Sequence, residues 1–174
     1  MKVLNIWGGP GTGKSTTAAG VFYQMKCQGI KVELVQEYAK DMVWEQRHNI
    51  LEDQIYIFAK QQRRISRLKQ HDLDYVITDS PIAMGLCYTD PKLLTPDFNR
   101  LVMHVFTSYD NVNVFLQREV PYEAVGRMQT ETQAQELDDK ILRLLTEHDV
   151  PYQRIRPGDV DAILEILKTS SYNN

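Results

Sequence analysis

Short apolar runs alternate along the chain with longer segments whose apolar residues recur every three or four positions. Runs of the first kind predict β-strands, and segments of the second kind predict helices. Regular alternation of the two is typical of a parallel sheet covered by helices on both faces, so we expect an α/β fold with three layers. The predicted strands are residues 2–7, 31–36, 74–79, 112–116 and 152–155.

Helices are predicted in the intervals between these strands. After the glycine-rich stretch that follows the first strand, Val21, Phe22 and Met25 recur at helical spacing. An apolar stripe over residues 51–68 predicts one long helix, and Ser80-Pro81 predicts a helix cap and first turn. The remaining predicted helices are residues 38–45, 98–106, 122–148 and 160–167.

Length, charge and cysteine content narrow the possible functions. The 174 residues fit one domain, expected over residues 1–168 and followed by a C-terminal tail, 169–174. The formal charge of −3 argues against a broad basic surface wrapped along nucleic acid. The chain has no apolar segment of membrane-span length, so we expect no membrane partner. Cys27 and Cys87 lack the spacing of a metal or redox pair, which favours the reducing cytoplasm.

A phosphate-binding motif occupies residues 8–15, which match G-x-x-x-x-G-K-[ST] between a predicted strand and a predicted helix. Glycines allow successive backbone N–H groups to point at phosphate oxygens, and the helix N-terminus adds positive partial charge. We expect ATP here, with Lys14 at the β- and γ-phosphates and the Ser15 hydroxyl on Mg²⁺. The alternative is a glycine-rich turn with an exposed lysine. The expected nucleotide-binding residues are Gly8, Gly9, Pro10, Gly11, Thr12, Gly13, Lys14, Ser15 and Thr16.

Two carboxylates close predicted strands at the edge where open α/β sheets bind their ligands. Asp79 ends the third strand in I-T-D-S-P and is predicted to hold Mg²⁺ together with Ser15; the alternative is that it only supports the turn that follows. Glu37 ends the second strand in V-Q-E-Y, where it is the candidate general base or anchor for an acceptor hydroxyl. Its alternative role is to cap the next helix.

Two arginines, Arg118 and Arg127, follow the fourth predicted strand. An arginine on a mobile segment commonly neutralises the charge that develops on a transferred phosphoryl group, so both are candidate catalytic residues. For each, the alternative is a solvated surface arginine. The sequence does not decide which of the two acts.

A pocket for the acceptor is the part of the site that the sequence defines least. Aromatic and soft side chains near the second and third strands could stack on a flat base, although such stripes are more often plain core. A basic cluster on the long helix is either a solvated face or a phosphate contact. The pocket candidates are Tyr38, Trp44, Gln54, Tyr56, Phe58, Met84 and Tyr88, and the basic cluster is Arg63, Arg64, Arg67 and Lys69.

With these residues in place, the chain resembles the P-loop nucleoside and nucleotide kinases, the thymidylate-kinase-like group broadly. The resemblance rests on the phosphate loop, the V-Q-E-Y segment, the I-T-D-S-P strand end and a G-R pair after the fourth strand. It implies a five-stranded parallel sheet of order 2-3-1-4-5, a small lid over ATP, and transfer of the γ-phosphate to a hydroxyl or phosphate acceptor.

Within that class the chain is most similar to small viral P-loop kinases of the AAA type. One branch, the 5-hydroxymethyluridine DNA kinases, phosphorylates a modified base in DNA as a step of thymidine hypermodification, and it is our preferred interpretation; it would place the protein in the cytoplasm of an infected host. Another branch is the nicotinamide riboside kinase type. Thymidylate kinases usually have D-R after the third strand, whereas Ser80 follows Asp79 here, so the arginine that would bind a free monophosphate is missing from that position.

A P-loop ATPase that acts as a switch or ring subunit is the alternative from a different class. Such ATPases typically place a second acid after the strand-end aspartate to polarise water, and this chain has Ser80 there, which favours a kinase. The expected partners are therefore ATP and a nucleoside-type acceptor. The oligomeric state is left open, a homodimer included.

Overall fold

The five strands form one parallel sheet in a computed structural model that describes residues 1–89, 95–119 and 130–171. Their order is β2-β3-β1-β4-β5, which confirms the order that the family resemblance implies. The central strand β1 is paired on both sides, with Leu4 opposite Ile77 of β3 and opposite Val112 of β4. The strands are β1 (Lys2–Trp7), β2 (Val32–Val35), β3 (Tyr75–Thr78), β4 (Asp110–Leu116) and β5 (Gln153–Ile155).

Helices connect these strands and cover both faces of the sheet. Because β-strand side chains alternate between faces, Trp7 points into one core and Leu4 into the other. The helices are α1 (Lys14–Cys27), α2 (Tyr38–Trp44), α3 (His48–Leu51), α4 (Gln54–Ser66), a 3₁₀ helix (Ile82–Tyr88), α5 (Pro96–Thr107), α6 (Glu131–Glu147) and α7 (Val160–Ser171). None of the helices in the described part of the chain is long and apolar enough to cross a bilayer.

Several helix predictions differ from the structure. The long helix predicted over 51–68 is two helices, because the Asp53 side chain accepts a hydrogen bond from Tyr56 N (3.0 Å) and caps a new helix there. Beyond Pro81 the chain forms a 3₁₀ helix without a side-chain cap from Ser80 or Pro81, so the predicted cap is wrong. Helix α7 extends to Ser171, past the predicted helix end at Leu167.

Helix α6 begins later than the predicted polar helix over 122–148. The Thr130 side chain accepts from Gln133 N (3.3 Å), and the Gln133 side chain accepts from Thr130 N (2.8 Å), which is a reciprocal capping box. This box fixes the start of the helix at Glu131. Residues 122–129, the first part of the predicted helix, lie outside the described residues.

Candidate functional site

The phosphate loop leaves β1 at the carboxyl edge of the sheet and enters helix α1. Gly8, Gly11 and Gly13 have φ of 145°, 84° and 82°, values that side chains with a Cβ rarely tolerate. Gly13 occupies the N-cap position of α1 without a side-chain cap bond. The N–H groups of the first helical turn therefore have no partner within the helix and open toward the loop. This geometry suits an anion, as the sequence motif predicts.

The loop is held from within by its own side chains. The carbonyl of Gly9 accepts hydrogen bonds from Thr12 Oγ1 (3.0 Å) and from Lys14 Nζ (2.9 Å). Thr12 is fully buried, so this contact fixes the shape of the loop interior. Burial lowers the pKa of Lys14, while the carboxylates of Glu37 and Asp79 act in the opposite direction. Lys14 thus interacts electrostatically with the two predicted strand-end acids.

The two residues predicted to hold a metal are in contact. Ser15 Oγ donates to Asp79 Oδ2 at 2.6 Å, and Asp79 is 4% exposed. The described part of the chain contains no cluster of three or more His, Cys, Asp or Glu residues arranged to hold a metal ion. A divalent ion at this site would therefore take few protein oxygens and complete its shell with phosphate and water, the usual arrangement for Mg²⁺.

Glu37 faces the same crevice from the end of β2. Its backbone N–H donates to Asp79 Oδ1 (3.0 Å), which ties the second strand end to the third. Glu37 occupies the N-cap position of α2, as the capping alternative predicts, but its side chain makes no cap hydrogen bond. Burial is the main cause that raises the pKa of Glu37; Lys14 lowers it, and Asp79 raises it further. The carboxylate thus belongs to a group of interacting charges with Lys14 and Asp79.

Gln61 on α4 supports these strand ends, and the sequence analysis missed it. Its Oε1 accepts from Tyr38 N (3.0 Å), and its Nε2 donates to Ser80 O (3.1 Å) and Thr78 Oγ1 (3.3 Å). At 4% exposure its amide is a buried link between the segments that follow β2 and β3. In the sequence Gln61 looks like any polar residue of an amphipathic helix, so no local signal could have identified it.

Replacing Gln61 with leucine is expected to destabilise the fold by about 1–3 kcal/mol, because the Tyr38 N–H loses its acceptor and Thr78 Oγ1 and Ser80 O each lose one donor. The matched control is Arg63→Leu, an exposed position on the same helix, where a change within about 0.5 kcal/mol is expected. Urea unfolding of both variants measures the difference. Equal stability of the two variants would show that the Gln61 network contributes nothing.

Arg118 is fixed against the phosphate loop. Its Nε donates to Asp138 Oδ2 (2.8 Å), its Nη1 to Pro10 O (2.9 Å) and its Nη2 to Ala134 O (3.3 Å). The other oxygen of Asp138 accepts from Gly9 N at 2.6 Å. Asp138 lies in the acidic stretch Q-E-L-D-D, and nothing in the sequence predicted that it would contact the phosphate loop. Arg127, the other predicted catalytic arginine, lies outside the described residues.

The turn between β5 and α7 packs against the loop from the other side. Gly158 N donates to Thr17 Oγ1 (3.0 Å), and Thr17 Oγ1 donates to Gly13 O (2.9 Å). A Cβ on Gly13 would lie 3.2 Å from Pro157 Cβ, so the two segments are close together. The predicted residue Thr16 is exposed at the start of α1.

The predicted acceptor-pocket residues divide between core and crevice. Met84 is buried, and Phe58 packs on the same core, where its ring meets Phe98 edge-on with centroids 5.8 Å apart. Tyr38 and Tyr56 pair outside that core, with their hydroxyl oxygens 3.3 Å apart. The Gln54 side chain donates to Leu51 O (2.7 Å), and Trp44 is 63% exposed.

Tyr88, at the end of the 3₁₀ helix, is the pocket candidate with the clearest relation to the crevice. Burial, followed by the charge of Glu37, raises its pKa, although 40% of the residue is exposed. The charge of Glu37 thus acts on Tyr88, and part of the residue remains open to solvent.

The basic cluster on and after α4 is largely engaged with the protein itself. Arg64 pairs with Asp41, donates to Gln36 O (3.1 Å) and lies over the Tyr38 ring. Lys69 Nζ lies 3.9 Å from the centroid of the Tyr109 ring. Arg63 and Arg67 are exposed on the helix surface. These contacts favour the solvated-face interpretation for the cluster as a whole.

A family model described as an AAA domain matches residues 3–162, most of the chain. A comparison with functionally curated proteins finds no match. Many solved structures have similar folds, and three of them, each less than 25% identical in sequence to this chain, bear on the fold alone.

The first is a NadR protein in complex with NR, with a TM-score of 0.66 and 19% sequence identity. The match covers 95% of this chain and 51% of that one. This chain thus spans about half the length of NadR. The second is deoxyadenosine kinase from M. mycoides with bound dATP, with a TM-score of 0.55 and 16% sequence identity. The match covers 99% of this chain and 100% of that one. The third is thymidylate kinase from Ehrlichia chaffeensis: TM-score 0.62, 14% identity, 97% of both chains.

Proposed function

We propose that this chain, which belongs to the AAA-domain family, is an ATP-dependent kinase that transfers the γ-phosphate to a hydroxyl group of a nucleoside-type acceptor. One observation supports this proposal most: the phosphate loop, the Ser15–Asp79 contact and Glu37 meet in a single crevice at the carboxyl edge of the sheet. A phosphoryl donor and a hydroxyl acceptor can face each other there, as direct transfer requires.

The phosphate loop and Lys14 would bind the donor. Backbone N–H groups at the start of α1 point toward the phosphate oxygens, and the Lys14 ammonium neutralises charge on the β- and γ-phosphates. Ser15 and Asp79 are the residues that would hold Mg²⁺, and their 2.6 Å contact shows that both oxygens reach one point. The ion, when bound, supplies positive charge that stabilises the phosphates in the transition state.

Glu37 would orient the acceptor and take its proton. As the hydroxyl oxygen forms its bond to the γ-phosphorus, the bond from that phosphorus to the leaving oxygen of ADP breaks, and the hydroxyl proton passes to the Glu37 carboxylate. A carboxylate with a raised pKa is a better base for this step than an ordinary glutamate, because its pKa lies closer to the operating pH.

The first candidate acceptor is 5-hydroxymethyluracil in DNA, and the alternatives are a free deoxynucleoside or its monophosphate and nicotinamide riboside. An uncharged hydroxyl acceptor is supported by the arrangement after β3, where Asp79 is followed by Ser80 rather than an arginine, and by Arg64, which is already paired with Asp41. A base within a duplex would have to flip out of the stack to reach Glu37.

The acceptor is identified by incubating the protein with γ-labelled ATP and Mg²⁺ against each candidate separately: DNA containing 5-hydroxymethyluracil, ordinary DNA, deoxynucleosides, deoxynucleoside monophosphates and nicotinamide riboside. Label confined to the modified DNA supports the first candidate. Label in one of the small molecules replaces it with a metabolic kinase, and label found only in inorganic phosphate overturns the kinase proposal.

Replacing Ser15 with alanine is expected to raise the Mg²⁺ concentration needed for half-maximal transfer by about tenfold, since one oxygen ligand is lost. The matched control is Ser15→Thr, which keeps the hydroxyl and which the motif itself allows. A magnesium titration of the initial rate measures both. If Ser15→Ala and wild type show the same magnesium dependence, Ser15 is not a ligand.

A further inference from the structure

Helix α6 touches the first half of the phosphate loop through a carboxylate and an arginine. Asp138 accepts from Gly9 N (2.6 Å) with one oxygen and from Arg118 Nε (2.8 Å) with the other. Both side chains are largely shielded, at 14% exposure for Arg118 and 15% for Asp138. A charge-assisted hydrogen bond in such surroundings is less screened by solvent than a surface ion pair.

Arg118 extends this contact to two further points. Its remaining nitrogens donate to Pro10 O in the loop (2.9 Å) and to Ala134 O on α6 (3.3 Å). All three guanidinium nitrogens are therefore engaged, and the planar fork spans from the loop to the helix. An arginine held in this way is not poised to move onto a transferred phosphoryl group.

The fit between loop and helix leaves no room for a side chain at position 9. A Cβ on Gly9 would lie 2.7 Å from both Ala134 O and Asp138 Oδ1, and 3.0 Å from Arg118 Nη2. Glycine is needed here for close approach to α6, whereas the neighbouring loop glycines are needed for their positive φ. The same three groups that contact the loop thus define the space around Gly9.

We infer that Asp138 and Arg118 are positioning residues, which hold the Gly9–Pro10 segment against α6 so that the phosphate loop is already shaped for ATP before it binds. This inference rests on the proposed function for its consequence in catalysis, but not for its effect on nucleotide binding. A pre-shaped loop loses less conformational entropy when the ligand binds, so loss of the Arg118–Asp138 pair should weaken ATP binding.

The test is a titration of the full chain with a fluorescent N-methylanthraniloyl-ATP and Mg²⁺, with no acceptor present. Asp138→Ala is expected to weaken binding about tenfold, the effect of one charge-assisted hydrogen bond. Asp138→Asn should lie between Asp138→Ala and wild type, because the amide oxygen still accepts from Gly9 N. The matched control Asp139→Ala removes an exposed carboxylate from the next position of the same helix and should change binding less than about twofold.

A positioning role also predicts that the KM values for ATP and for the acceptor respond differently to the same substitution. In a transfer assay, Asp138→Ala should raise KM for ATP and leave KM for the acceptor unchanged, and Arg118→Ala combined with Asp138→Ala should be no worse than the stronger single change. Binding of Asp138→Ala equal to that of Asp139→Ala would overturn the inference. Equal rises in both KM values, with a matching fall in melting temperature, would overturn it too.

One further variant protects the test against misfolding. If Asp138→Ala does not fold, Arg118→Lys keeps the charge but loses the fork, and it should weaken nucleotide binding while Asp139→Ala does not. A wild-type protein that binds the fluorescent nucleotide but transfers phosphate to no acceptor would end the proposed function and leave the positioning inference standing on the binding data.

Discussion

Phosphoryl transfer is expected to fall by about a thousandfold or more when Lys14 is replaced by alanine, because the ammonium group supplies positive charge where negative charge is concentrated on the transferred phosphate. In the structure Lys14 Nζ lies within the loop, 2.9 Å from Gly9 O, and it interacts with the carboxylates of Glu37 and Asp79. No other lysine among the described residues is placed in the loop. Initial rates with saturating acceptor measure the loss.

The control for this change is Lys26→Ala, which removes an exposed lysine from the same helix; Lys26 pairs with Glu33 at the surface. Its rate should equal that of wild type. The melting temperature of Lys14→Ala should stay close to the wild-type value, since burial already disfavours the charged form of Lys14. A Lys14→Ala protein that still transfers phosphate at the wild-type rate would contradict the mechanism.

The second large effect is expected for Glu37→Gln, which should lower kcat by about a hundredfold because the amide cannot take the hydroxyl proton. ATP binding should change little, since the donor is bound by the loop and Lys14. In wild type the rate should rise with pH as Glu37 ionises, and the midpoint of that rise should lie above the pKa of an ordinary glutamate, because burial raises the pKa of Glu37.

Glu37→Gln also has a predicted signature in stability. A carboxyl group whose pKa is raised in the folded state favours folding below its unfolded pKa, and that contribution is lost as pH rises through the folded pKa. Glu37→Gln should therefore be more stable than wild type at neutral pH, and the difference should shrink in acid. Urea unfolding of both proteins, at neutral pH and in acid, measures this difference in stability. An unchanged kcat would show that Glu37 is not the base. A stability difference between Glu37→Gln and wild type that grows in acid would also contradict that role.

Local patterns along the chain were sufficient to predict the three-layer α/β class and the phosphate loop, whereas the strand order came from the family resemblance. The strand positions follow from apolar runs, and the loop follows from glycines at fixed spacing before Lys14 and Ser15. Asp79 and Glu37 were found because parallel strands end at one edge, so residues at their carboxyl ends must lie near one another. In each case sequence position alone determines location in the fold.

The residues that were missed act through contacts that no local pattern encodes. Gln61 and Asp138 are polar residues of amphipathic helices, and their partners lie 17 or more positions away in the chain. Whether such a side chain faces solvent or a neighbouring backbone depends on how the helices pack on the sheet. The break in the helix at Asp53 is different, because Asp is a common N-cap and that signal was present in the sequence.

The central claim, that the protein is a kinase and not an ATPase, is tested most directly by measuring ADP release with and without the acceptor identified in the labelling panel. A kinase should form ADP only when the acceptor is present, in equal amount to phosphorylated acceptor, and Lys14→Ala should abolish both products. ADP and inorganic phosphate released at the same rate without any acceptor would contradict it and identify an ATPase.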